Sequence, residues 1–397
     1  MKMQININPR LRFHLSPFVW VLLALMGIAF VVAMIRFGVG IGAISNLSNA
    51  YPWGFWVSFD LFTGIAISSG AFVLTSIVYI LELEEFRPLV RPTLLTGLLG
   101  YVMEVIALLV DLGHPERIWH YFIYQNFTSF LLAIGLYVII YATIMLVELA
   151  PAMLEQLKLQ KLADLIKRYM KPLVIIGVTI SVLHQGSLGA LLLIQPAKLF
   201  PLWWTPLLPV LFFISAVAIA LAMTIFESSI SSRYFHRGLE THLLDKLAAA
   251  IPYVLGLYLI VRFVQLIIAG DAQYFFNSGW MSILFWVEII IGSIIPLIMF
   301  AFKKIRQSPS GLLTGSIILL LGMILDRFDV SWLAVKHPDP LTYIPTFMAN
   351  NVHYLPSLPE ISISLGIFSA GILAFGLAIK YLPIFEDEDD HHPTASH

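Results

Sequence analysis

Ten runs of about twenty or more mostly apolar residues, separated by short polar segments, constrain this chain more than any other feature. They cover 17–39, 53–81, 93–111, 129–149, 172–194, 205–226, 248–270, 281–302, 312–335 and 358–382. Each is long enough to cross about 30 Å of hydrocarbon as a helix. A helix satisfies its own backbone there, which an open strand cannot do. Hydrophobic residues make up 59% of the 397 and charged residues 12%, more apolar surface than a water-soluble fold can bury. The fold class predicted is all-α: a polytopic membrane protein of about ten transmembrane helices. The first run is too long for the apolar core of a signal peptide and reads as a retained helix.

Ten spans place both termini on one side, and basic residues test the count independently. Of the 23 Lys and Arg, 17 fall in segments on the side of the termini, 3 (Arg117, Lys198 and Lys336) fall on the other, and Arg36, Arg262 and Arg327 lie inside spans. Positive residues concentrate on the cytoplasmic side, so the termini are predicted to be cytoplasmic, in the inner membrane of a bacterium. Residues 1–385 read as one integral-membrane domain in which spans two to five (53–194) and six to nine (205–335) form two four-helix bundles with flanking helices. Residues 153–170 mix Leu with Lys, Glu and Gln at helical spacing and predict an amphipathic helix on the cytoplasmic face. The tail 386–397, with its acids Glu386 to Asp390, reads as solvated and disordered.

Composition also removes cofactors. With no cysteine, the chain cannot ligate an iron–sulfur cluster, so such a centre belongs to a partner. Of eleven histidines only His184 falls within a span, whereas a haem held between helices needs two axial ligands at that depth; a haem held at the surface by His114, His120, His337 or His353 is the remaining arrangement. A net charge of −1 without a basic patch argues against nucleic acid.

The stretch Ser181–Ser187 places His184 and Gln185 in the middle of the fifth span. Polar groups at that depth cost several kcal/mol unless they find partners, so they face protein or water. In the second span Trp53, Trp56, Asp60 and Thr63 share a stripe, with Asp60 roughly 10 Å from the outer end. In the third, Tyr101, Glu104 and Asp111 fall within a sector of about 80°. Glu148 and Glu227 stand near the cytoplasmic ends of the fourth and sixth spans, where interfacial charges are also common. Arg262 and Gln265, Glu288, and Asp326 with Arg327 make a charged cluster in the outer half of the second bundle, with Asp329 near the same outer end; it is read as structural ion pairs, Arg262 with Glu288 and Arg327 with Asp326 or another acid.

The first bundle sets Asp60, Tyr101, Glu104 and Asp111 against a single base, His184. A histidine with acids and a phenol handles protons, and a substrate that takes two electrons and two protons inside a membrane is a quinone. His184 and Tyr101 would donate to its carbonyls, and its tail needs an apolar opening to lipid.

The chain also resembles the NrfD/PsrC family of membrane subunits of quinone-linked oxidoreductases, most closely the HybB branch of membrane-bound nickel–iron hydrogenases. The resemblance rests on Tyr51-Pro52-Trp53-Gly54-Phe55-Trp56 with Asp60, Pro88-Leu89-Val90-Arg91-Pro92, Gly100-Tyr101 leading to Asp111-Leu112-Gly113, Glu148-Leu149-Ala150-Pro151, His184-Gln185 with Gly189, Phe226-Glu227, Arg262-Phe263, Phe285-Trp286-Val287-Glu288, and Arg327 before Val330-Ser331. It implies a subunit without haem or cluster that uses menaquinone or ubiquinone. An iron–sulfur subunit would dock on the periplasmic face, backed by a catalytic subunit of hydrogenase, multihaem cytochrome or molybdopterin type. Tyr101 and His184 would contact quinone, with Asp60, Asp111, Trp53 and Gln185 beside it; Glu104, Ser181, Glu148 and Glu227 would serve protons. Glu104 and Gln265 depart from the HybB pattern, which has a small residue and an acid at those places. A secondary transporter or a purely structural anchor for a periplasmic enzyme also accounts for buried charge, and a solute moved without redox partners, or a subunit empty of quinone, would distinguish them.

Overall fold

The computed structural model describes residues 16–48, 51, 53–194, 199–234, 238–335 and 354–384. The expected acidic tail, the basic N-terminal segment, Lys198, Lys336, His337 and His353 lie outside the described residues. Ten helices among the described residues are long and apolar enough to cross a membrane: α1 (Pro17–Val39), α2 (Val57–Ile80), α3 (Glu84–Asp111), α4 (Phe130–Gln156), α5 (Met170–Leu193), α6 (Leu208–Tyr234), α7 (Thr241–Ala269), α8 (Trp280–Ala301), α9 (Pro309–Leu333) and α10 (Leu358–Tyr381). The chain is a multi-pass integral membrane protein.

Local chemistry sets several helix starts. Ser16, Ser129, Ser308 and Ser357 cap α1, α4, α9 and α10 by accepting from backbone N–H groups of the first turn. Ser357 and Glu360 close a reciprocal capping box. Three boundaries differ from the apolar runs. The third helix includes Arg87, Pro88 and Pro92 ahead of the apolar run: Pro88 falls in the first turn, whose N–H groups lack intrahelical partners, while Pro92 lies inside the helix. Helices α4 and α6 continue to Gln156 and Tyr234. Apolar runs mark what lipid or core must cover, whereas helical hydrogen bonding continues beyond it. The amphipathic helix expected over 153–170 is corrected: Met153–Gln156 belong to α4, Lys158 takes φ 59°, and a separate helix, Gln160–Arg168, follows with Ala163 as its buried residue.

Helices α2 to α5 pack as one four-helix bundle and α6 to α9 as a second, joined where α6 lies against α2 and α5 and where α9 meets α2. Helices α1 and α10 pair with each other, and α10 also packs on α3. In their most apolar windows 78% of α2 and 72% of α6 is buried, against 17% of α1, so α2 and α6 are central and α1 faces lipid. Close approach needs glycine at two junctions. A Cβ on Gly189 of α5 would lie 2.6 Å from the Leu208 carbonyl of α6, and one on Gly292 of α8 would lie 3.0 Å from the Gly322 carbonyl carbon of α9. Helix α2 is wound as π-helix over Val57–Thr63 and Ser76–Ile80, as are Ile290–Ile294 of α8 and Asp329–Leu333 of α9. Such wider turns recur at functional sites and re-aim the side chains around them.

Candidate functional site

The centre of the first bundle is a contact between α3 and α5. The Tyr101 hydroxyl lies 3.0 Å from His184 Nδ1, and both residues are fully buried. Tyr141 of α4 packs edge-on against Tyr101 with ring centroids 5.1 Å apart, and the Tyr137 ring is 6.2 Å from the imidazole. Ser181, one turn before His184, sits beside both Tyr101 and Tyr141. Gln185 turns the other way, its Nε2 donating to the Ile65 carbonyl of α2 at 3.3 Å. Tyr101 and His184 are therefore one hydrogen-bonded unit rather than two separate donors.

Several atoms here are buried without a hydrogen-bond partner: His184 Nε2, Ser181 Oγ, Gln185 Oε1 and both carboxyl oxygens of Glu104. A buried polar atom left unpaired costs about 1–3 kcal/mol, so this concentration of them marks a place built to receive a polar group or water.

The carboxylates extend from this centre toward the end of the bundle away from the chain termini. Glu104 lies within electrostatic range of Tyr101 and Asp60, and Asp60 of Asp111. The π-helical turn at the start of α2 breaks the stripe expected there. Trp56 Nε1 donates to the Glu360 carbonyl and Ser364 Oγ donates to Asp60 at 2.7 Å, so both residues face α10. Thr63 bonds instead to Ser58 of its own helix, and Trp53 packs half-buried on the main hydrophobic core. Asp111 ends α3 beside the guanidinium of Arg36, which donates to the carbonyls of Val110 and Leu112 and caps that helix. Residue-type reasoning missed Arg36, Glu360 and Ser364, since sequence distance conceals that α1 and α10 close over the mouth of α2 and α3. Tyr141 was missed as well, although a signal was present: Tyr137, Tyr141 and Glu148 share one helical face by spacing.

Glu148 and Glu227 stand at the opposite end. Both are buried, at 7% and 6% exposure, because α4 and α6 run on past them; neither is an interfacial charge. Glu148 lies within electrostatic range of Tyr141 and Tyr79, and Glu227 lies beside Thr96 of α3.

The second bundle holds its own cluster. Arg327 pairs with Asp326, donates to Ser215 Oγ at 2.6 Å and stacks over Phe212; the Tyr258 hydroxyl donates to Asp326 at 3.2 Å. The ion pair expected between Arg262 and Glu288 does not form among the described residues. Trp203 Nε1 takes one oxygen of Glu288 at 2.6 Å, and Arg262 Nε and Nη2 lack hydrogen-bond partners. Arg262 is instead set among Tyr258, Glu288, Asp326 and Asp329 without closing on one of them. Gln265 Nε2, on the same helix, is also buried without a partner, and the carboxyl of Asp329, near the outer end of α9, lies beside that of Glu288.

With this geometry in view, comparison with known proteins decides the family: the profile described as polysulphide reductase, NrfD, matches residues 43–332. This chain belongs to the NrfD family. A protein of Nitratidesulfovibrio vulgaris is 34% identical over 371 residues, covering 91% of this chain and 92% of that one. A probable Ni/Fe-hydrogenase 2 b-type cytochrome subunit of Escherichia coli is 28% identical, covering 89% of each chain. The integral membrane subunit of a menaquinone reductase of N. vulgaris is 27% identical, covering 88% and 87%. The NrfD match includes Asp60, Tyr101, Glu104, Asp111 and His184, while Arg36, Glu360 and Ser364 fall outside it. One relative's name carries the word cytochrome; in this NrfD chain the histidines within helices α1 to α10 are His184, at mid-span with its Nδ1 engaged by Tyr101, and His242, at the start of α7.

Proposed function

We propose that this chain is the subunit through which a respiratory oxidoreductase complex exchanges electrons with menaquinone or ubiquinone, and that the quinone headgroup is received at His184. One observation carries the reading. His184 Nε2 is buried and unpaired while Nδ1 is held by Tyr101, leaving one imidazole nitrogen ready for a carbonyl oxygen. Relatives named as subunits of a hydrogenase and of a menaquinone reductase support it. Electrons come from or go to a partner, since the chain has no cysteine for a cluster. That partner is an iron–sulfur subunit on the periplasmic face, backed by a catalytic subunit of hydrogenase, multihaem cytochrome or molybdopterin type. The complex lies in a bacterial cytoplasmic membrane with the termini of this chain inside, following the 17 to 3 distribution of basic residues.

In this reading the chain's own groups position the headgroup and move protons. With Tyr101 donating to Nδ1, the imidazole proton sits on Nε2 and is offered to the carbonyl; Glu104 continues from this pair toward Asp60 and Asp111, and Gln185 braces α5 against α2. Reduction of quinone to quinol takes two electrons from the partner and two protons. Glu148, Tyr141, Tyr101 and His184 form a sequence of exchangeable groups from the terminus end, with Glu227, Glu104 and Ser181 beside it. Leu183, next to His184, is exposed on the outer surface of the bundle, and that side is the approach for a lipid-borne substrate.

The test is quinone reduction by the complex purified with its partners. His184→Ala should abolish reduction of a menaquinone analogue and leave dye-linked activity of the catalytic subunit intact. Quinone reduction that survives the substitution would place the headgroup elsewhere.

A further inference from the structure

At the terminus end of the first bundle a cleft of about 320 Å³ opens between the end of α2, the start of α3, the end of α4 and the segment leading into α5. Its polar wall carries three cations, Arg87, Arg91 and Lys167, and one carboxyl, Glu148. The other wall is apolar, with Val90, Leu94, Leu149 and Met170 among its members.

Two of the cations, Arg87 and Lys167, are held in place by their surroundings. The Arg87 guanidinium lies over the Tyr79 ring, 5.6 Å from its centroid, and also pairs with Glu84 at 2.5 Å. Lys167 pairs with Glu155. Both pairs are solvent-exposed, and exposed pairs are weak enough to rearrange around a stronger anion. Glu84 and Glu155 do not line the cleft, so an anion inside it would meet Arg87 and Lys167 by displacing these exposed pairs.

A cleft that is basic on one side and apolar on the other, at the end of transmembrane helices, matches one chemistry in particular. A soluble anion would use the cations and leave the apolar wall wet. A phospholipid uses both, its phosphodiester against the guanidinium groups and its acyl chain along Val90, Leu94 and Met170. We infer that this cleft is a binding site for an acidic phospholipid, with the headgroup phosphate bridged by Arg87, Arg91 and Lys167 above Glu148. The lipid site does not rest on the quinone reading: His184 lies at mid-span, well above the cleft, and the one residue the two share is Glu148.

The full-length chain, purified and delipidated in a non-ionic detergent, provides the test through thermal unfolding and native mass spectrometry. Phosphatidylglycerol or cardiolipin should raise the unfolding midpoint and remain bound to the chain. Phosphatidylcholine, phosphatidylethanolamine and inorganic phosphate should do neither. The double variant Arg87→Gln and Arg91→Gln should raise the half-saturating lipid concentration roughly thirtyfold, which corresponds to about 1 kcal/mol for each basic residue removed. Lys167→Gln is a milder exposed substitution that should give a smaller shift in the same direction. Lys246→Gln removes a basic residue at the same end but outside the cleft and should change nothing. An equal response to inorganic phosphate would make the site one for a soluble anion. An equal response to the zwitterionic lipids, or wild-type affinity in the double variant, would equally overturn the assignment.

Discussion

The hydroxyl of Tyr101 and Nδ1 of His184 are 3.0 Å apart across the α3–α5 interface, so each fixes the orientation and proton of the other. A residue that orients a proton-donating imidazole is expected to matter less than the imidazole itself. If the headgroup sits at His184 as proposed, Tyr101→Phe should keep the complex assembled and lower its quinone turnover by about 10²–10⁴-fold, the usual span for loss of a positioned proton-transfer partner. Steady-state reduction of a menaquinone analogue, compared with dye-linked activity on the same preparation, measures it. A Tyr101→Phe complex with unaltered quinone turnover would show that the pair is only a tie between helices.

Tyr141 separates Glu148 from Tyr101. If protons arrive from the terminus end, Tyr141→Phe should slow turnover at saturating quinone and leave KM nearly unchanged, because the ring still packs on Tyr101 and only the hydroxyl is lost. A rise in KM with constant kcat would assign Tyr141 to substrate binding instead.

Asp60 receives its hydrogen bond from Ser364, a residue 304 positions away. Ser364→Ala should lower stability by about 1–3 kcal/mol, as expected for a partly buried bond to an acid. In the double variant with Asp60→Ala the two losses should fall short of additivity, since both remove one bond. Unfolding midpoints of the four proteins give the coupling, and strictly additive losses would mean that the bond carries no energy.

Arg36 caps α3 from α1, donating to the carbonyls of Val110 and Leu112. Arg36→Gln should destabilise the protein by about 1–3 kcal/mol for each carbonyl left unpaired. Arg36→Lys should recover little of this, since an ammonium group lacks the planar fork that reaches both acceptors. Thermal unfolding of the two variants side by side checks it.

In the second bundle, Arg327→Ala should leave Asp326 as a buried charge without its cation, costing about 3–5 kcal/mol and much of the accumulated protein. Arg327→Met combined with Asp326→Leu should recover most of that stability. The amount of folded protein extracted from membranes, with its unfolding midpoint, distinguishes the two.

Much of this architecture was legible without coordinates. The requirement that a helix in lipid be covered by apolar side chains writes itself into the chain as runs of fixed length, so the ten spans and their order were determined locally. The rarity of polar groups at that depth singled out His184, Tyr101 and Glu104 for the same reason. Helix ends were less legible: Pro88 and Pro92 look like terminators yet sit early in α3, and the polar ends of α4 and α6 continue as helix. Only the tertiary structure decided which polar groups meet. It joined Tyr101 to His184 rather than presenting them separately, brought Ser364 and Glu360 of α10 over Asp60 and Trp56, and gave Glu288 to Trp203 instead of Arg262. Span length and depth are properties of one helix against its solvent, whereas a hydrogen bond depends on the rotation and crossing of two, and those are set by the packing of all ten.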